Sequence, residues 1–176
     1  MMRFPKMLRR FREDEDGSTV APFVLWITIF LGLIVSTIEL GTMTVRHTVF
    51  ERAVDTAMRD LKIGNLVGDP ITLKDAICDR AKILSSCEAN LHLEMIRLDL
   101  ENWEQPSAKP DCVDTGAVAT PHRTFQQGAA HEVMLVRACF KYKPITPLGG
   151  FNASLPKDAN GYTALVSSSA FVNEPL

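Results

Sequence analysis

The sequence lacks a surplus of either charge: 19 Lys and Arg stand against 21 Asp and Glu among 176 residues, a formal net charge of -2. Such a balance leaves no large basic field, the usual electrostatic footprint of a protein that holds DNA or RNA. Recognisable catalytic signatures are missing as well. No G-x-S-x-G surrounds Ser167, Ser168 or Ser169, no glycine loop of phosphate-binding type occurs, and no pair of carboxylates is singled out by spacing. His131-Glu132 opens like the H-E-x-x-H of zinc proteases, but Leu135 takes the second histidine's place and the stretch alternates like a strand. Cys139 with His122 or His131 supplies the residue types of a Cys/His hydrolase; a disulfide for Cys139 and surface positions for both histidines is the simpler reading. Neither a C-x-x-C pair nor a histidine at zinc-finger spacing is present. The expectation is a non-enzyme with no catalytic residue, metal or cofactor.

The most informative absence is local. Between Asp16 and Glu39 no residue from 20 to 38 is charged, and the run VAPFVLWITIFLGLIVSTI would span roughly 28 Å as a helix, close to the ~30 Å hydrocarbon core of a bilayer. Thr28, Ser36 and Thr37 are tolerable there because their hydroxyls can bond to carbonyls one turn back. Pro22 falls in the first turn, where its missing N–H costs nothing. A buried core helix would carry a polar face, and a cleavable signal would be shorter and followed by small residues rather than Glu39-Leu40-Gly41. The run is therefore read as a permanent anchor in the lipid bilayer. Arg3, Lys6, Arg9, Arg10 and Arg12 precede it, whereas Arg46 and Arg52 are the basic residues soon after it. The positive-inside bias then keeps the N-terminus in the cytoplasm and exports the rest. Glu39, at the membrane edge, reads as a carboxylate in the headgroup region, with a basic group on a partner as the alternative.

Cys78, Cys87, Cys112 and Cys139 all follow the apolar run, which suits export to an oxidising compartment and two disulfides. Three connectivities exist; short loop closure favours Cys78 with Cys87, leaving Cys112 with Cys139. The competing reading, four free thiols, requires the opposite orientation.

Beyond the anchor, Phe50, Val54, Ala57 and Leu61 recur at helical spacing with charges on the other faces, so the helix is expected to continue as an amphipathic extension until Gly64-Asn65. That stripe packs either on the chain's own domain or on neighbouring subunits. His47, on the same extension, reads as solvated. Thr72 and Asp75 resemble a cap opening a short helix to about Leu84. Leu91, Leu93 and Met95 alternate with His92 and Glu94 as in a half-buried strand, with His92 outward. Residues 105–127 read as a long loop pinned by Cys112. Strands are expected over 132–142, with one apolar and one mixed face, and over 162–172. The fold class is α+β, divided as a cytoplasmic tail (1–17), a transmembrane helix (18–40), an amphipathic extension (41–64) and an exported α+β domain (65–176) with an antiparallel sheet of about three strands.

The order of these features resembles the TadE-like family of Tad (Flp) pilus proteins. It shares a basic tail, a charged run before Gly17, an uninterrupted span, RHTVFERAVDTAMRDLKIG, and VRACFKY followed by ALVSSSAFVNEP. The resemblance implies a pilin-like fold and a pseudopilin or minor-pilin-like component that assists Tad-type pilus assembly at the bacterial inner membrane. Its implied partners are other Tad pilus assembly or pilin-like subunits and a prepilin peptidase cutting between Gly17 and Ser18. Pro22 stands where pilin-like proteins place a glutamate five residues after the cut. A single-span protein with a periplasmic binding or sensor domain unrelated to pili is the alternative.

Overall fold

The computed structural model describes residues 19–107, 110, 112, 125–126, 128–129, 131–145 and 155–173. Among them the chain runs through helix α1 (Val20–Lys62), helix α2 (Pro70–Arg80), one turn of helix α3 (Cys87–Asn90), and strands β1 (Leu91–Leu98), β2 (Val133–Tyr142) and β3 (Thr163–Val172). This is an α+β arrangement stapled by two disulfides.

α1 is continuous over 43 residues, about 64 Å at the rise of an α-helix. Apolar residues occupy every face of its first half, so no single neighbouring surface could cover them. Val20, Leu25, Trp26, Phe30 and Leu33 are all exposed. Unlike a core helix this stretch is almost wholly uncovered by the rest of the chain, and it is long and apolar enough to cross a membrane. Thr28 and Thr37 donate to the carbonyls of Val24 and Ile34 at 2.7 and 2.8 Å, so their hydroxyls are satisfied within the helix. Gly64 ends α1 in the left-handed conformation at φ 75°, and the N–H of Asn65 returns to the carbonyl of Asp60.

α2 begins earlier and stops sooner than the sequence pattern suggested. Asp69, rather than Thr72, is the cap. Its Oδ1 accepts from the N–H groups of Ile71 and Thr72, both at 3.0 Å, and Pro70 supplies a preset φ at the first helical position. The Thr72 hydroxyl, then the Thr72 N–H and the Ile71 N–H, with burial acting in the opposite sense, hold the Asp69 carboxyl below its ordinary value. The helix closes at Arg80, and the residues up to Leu84 form turns that lead into α3.

The sheet has the order β1-β2-β3, antiparallel throughout. β1 runs three residues past Met95, and the end of the expected long loop returns to its edge: Phe125 bridges to Met95, and the Gln126 N–H donates to the Met95 carbonyl at 3.1 Å. Register puts Leu91, Leu93 and Met95 opposite Phe140, Ala138 and Val136, with Leu165 beyond Phe140 on β3. This face meets α1 and α2. Phe50, Val54 and Ala57 of α1, Leu73 and Ile77 of α2, and Leu91, Val136, Ala138 and Phe140 of the sheet form one cluster. Phe50 and Phe140 lie with ring centroids 6.1 Å apart at 46°. Each large side chain fully buried in this way contributes about 1.5–3 kcal/mol.

Candidate functional site

The residues expected to matter fall into three groups in space. The helical stripe comes first. Phe50, Val54 and Ala57 are fully buried and Leu61 packs against the same cluster, so of the two destinations open to the stripe, the structure places it in the core of the chain's own head. A partner cannot reach it, and the surfaces available for contact lie elsewhere.

The second group lies on the far face of the sheet. Cys139 is buried there and joined to Cys112, while Cys78 of α2 is joined to Cys87 of α3. This face is mixed, as its alternation indicates, and its cations Arg137 and Lys141 are buried because each meets a carboxylate carried by another segment. Arg137 stands directly across from Glu94: its Nε donates to Glu94 Oε2 at 3.0 Å, Nη2 lies 2.8 Å from the same oxygen as an ion pair without hydrogen-bond geometry, and Nη1 donates to the Ser107 carbonyl. Lys141 Nζ lies 3.0 Å from Asp158 Oδ2. Burial pushes the Asp158 carboxyl up, but the N–H of Tyr162, the Lys141 ammonium and the N–H of Asn160 together hold it below its ordinary value. His92 shares this face beside Cys139 and is half-buried, not outward as expected. Cys112 and the Ser107 carbonyl both reach this face from the residues that follow β1.

The third group sits where the exposed half of α1 meets the head. Glu39 is buried rather than solvated, and its Oε1 accepts from the N–H of Ile145, just past β2, at 3.0 Å. Two turns along the helix, Arg46 lies over the Tyr142 ring, with its guanidinium carbon 5.1 Å from the centroid. Burial raises the Tyr142 hydroxyl above its ordinary value, Arg46 lowers it and Glu39 raises it. Lys143 lies over Tyr162 at 5.2 Å. Helical periodicity could have placed Glu39 and Arg46 on one face, but nothing in the sequence indicated that the end of β2 would meet them. His47, lower on the same helix, is half-exposed and 3.6 Å from Glu51.

His131 is exposed at a turn with φ 69°, and the neighbouring Glu132 pairs with Arg97 at 2.9 Å. Among the described residues no three His, Cys, Asp or Glu side chains gather as a metal site. Gly17, Ser18 and His122 lie outside the described residues. No protein-family model matches the chain, and no curated protein or solved structure is similar to it.

Proposed function

We propose that the protein is a membrane-anchored, non-catalytic assembly subunit, a TadE-like pseudopilin or minor-pilin-like component that assists construction of a Tad-type pilus at the bacterial inner membrane. The observation that carries this reading is α1 itself: one unbroken helix whose first half is bare and apolar and whose second half is the core of a small disulfide-stapled head. The first half spans the bilayer with the N-terminus in the cytoplasm, and the head stands in the periplasm, where its disulfides are stable. A helix anchored in this way lets subunits slide in the membrane plane and pack side by side without leaving it. The order of sequence features shared with TadE-like proteins supplies the particular assembly.

The test is isolation of the full chain from its native membrane, with intact mass under non-reducing conditions and identification of co-purifying proteins. Recovery with pilus assembly subunits, two disulfides per chain, and loss of pili in a deletion strain are the expected results. Pili that form undiminished without the protein would overturn the reading and leave a single-span periplasmic binding module. A mature chain beginning at Ser18 would show prepilin-type processing with Pro22 in place, and a chain that retains the basic tail would identify an unprocessed assembly factor.

A further inference from the structure

At the base of the head, between α1 and the end of β2, lies a cleft of about 190 Å³ lined among others by Arg46, Ser85, Ser86, Tyr142, Lys143 and Tyr162. The charged groups that line it are Arg46, Lys141 and Lys143, all cations; Lys141 is held by Asp158, and the nearby Glu39 accepts from the N–H of Ile145. Among the described residues no ion pair engages Arg46 or Lys143; each instead lies over a tyrosine ring, at 5.1 and 5.2 Å. An aromatic face steadies a cation without neutralising it and leaves N–H donors free at the edge. The hydroxyls of Ser85 and Ser86 add neutral donors to the same wall. Two cations and several donors around a small cleft are the chemistry that binds the clustered oxygens of a phosphate ester.

Position suggests where that ester comes from. Arg46 lies about 12 Å up the helix from the end of the apolar run, and helical side chains lean toward the helix N-terminus, so its guanidinium reaches back toward the bilayer. The headgroup layer occupies roughly 5–7 Å beyond the hydrocarbon on each side, within reach of a long cationic side chain. We propose that this cleft binds the phosphate of an anionic phospholipid at the surface of the membrane that α1 crosses. The inference rests on the membrane reading of α1 but not on the pilus.

Full-length protein is reconstituted into discs of phosphatidylcholine alone and discs that also contain phosphatidylglycerol, and amide hydrogen exchange is followed at residues 141–145. Phosphatidylglycerol is expected to slow exchange there about tenfold when present at ten times its Kd. The double variant Arg46→Gln, Lys143→Gln should lose this protection while Val136 in the sheet keeps its own, which separates loss of the site from unfolding. Glycerol phosphate added to the phosphatidylcholine discs distinguishes the source: if it alone reproduces the protection, the site takes a soluble phosphate ester and the lipid assignment falls. No protection from either source, or protection that survives the double variant, overturns the proposal. Failure to enter discs would refute the span itself, and glycerol phosphate binding by the free chain would then decide the cleft.

Discussion

The two halves of α1 contain similar apolar side chains and meet opposite fates. Phe30 is 58% exposed and Phe50 is 0% exposed, although both belong to one uninterrupted helix. Hydrophobicity alone does not separate them; angular distribution does. Around Phe30 every face is apolar, so a protein layer on one side would still leave the others in contact with solvent or lipid. Around Phe50 the apolar residues are confined to one stripe, with Glu51, Arg52 and Asp55 exposed, and the sheet face together with α2 buries it. Burial follows the pattern, and the medium each half requires follows from burial.

The largest expected effect breaks this comparison directly. Phe50→Ala should destabilise the head by about 3–5 kcal/mol, whereas Phe30→Ala should change it by less than about 0.5 kcal/mol. Urea titration of the full chain in detergent, followed by hydrogen exchange in the sheet, measures both. Equal losses would mean that the two halves unfold as one unit and that the contrast between them is not energetic. Next comes the far face of the sheet. Glu94→Ala leaves the buried guanidinium of Arg137 without its carboxylate and should cost about 3 kcal/mol, while Glu51→Ala on the exposed side of α1 should cost almost nothing. A comparable effect at the two sites would refute the burial of that pair.

The disulfides sharpen the comparison further. Cys112 and Cys139 are separated by 27 residues in sequence and Cys78 and Cys87 by 9, so chain entropy makes the first bridge worth about 1 kcal/mol more than the second. Paired Cys→Ser variants, compared by their denaturation midpoints under non-reducing conditions, should rank in that order, and the reverse ranking would show that chain entropy does not set the worth of the two bridges. The smallest effect is that of pH. Asp158 has a folded-state carboxyl below its ordinary value of 3.8, so its stabilisation is fully present above that value and is lost as pH falls through it toward the folded-state value. Asp158→Asn should flatten the acid limb of the stability profile, and an unchanged limb would place the acid-sensitive group elsewhere.

Much of the architecture is legible in the residues because it is periodic. The apolar run, the stripe at 50–61 and the alternations of β2 and β3 each repeat within one element and need no partner to be recognised. What could not be read depends on pairs of elements. Thr72 and Asp75 have the spacing of a cap, yet Asp69-Pro70 outcompetes them because a carboxylate at the cap and a proline just inside the helix act together. Glu94 and Arg137 become partners only once register sets β1 against β2, and Lys141 finds Asp158 only through the turn before β3. Alternation alone turns His92 toward solvent, because it marks the sides of a strand without saying what covers each side. The basic cleft was equally hidden, since Arg46 and Lys143 are nearly a hundred residues apart in a chain with no overall excess of positive charge.

The bond from Glu39 to the N–H of Ile145 has a mechanical consequence. It ties the residues just past β2 to α1 at the level where the apolar half begins, while Phe50 packs on Phe140 of β2 further along the same helix. Two fastenings on one continuous rod remove the swivel that a single point of attachment would allow. A turn of the apolar half about its own axis therefore arrives at the sheet as the same turn, and whatever fixes that half's azimuth also aims the opposite surface, where Ala164 and Ser168 are exposed.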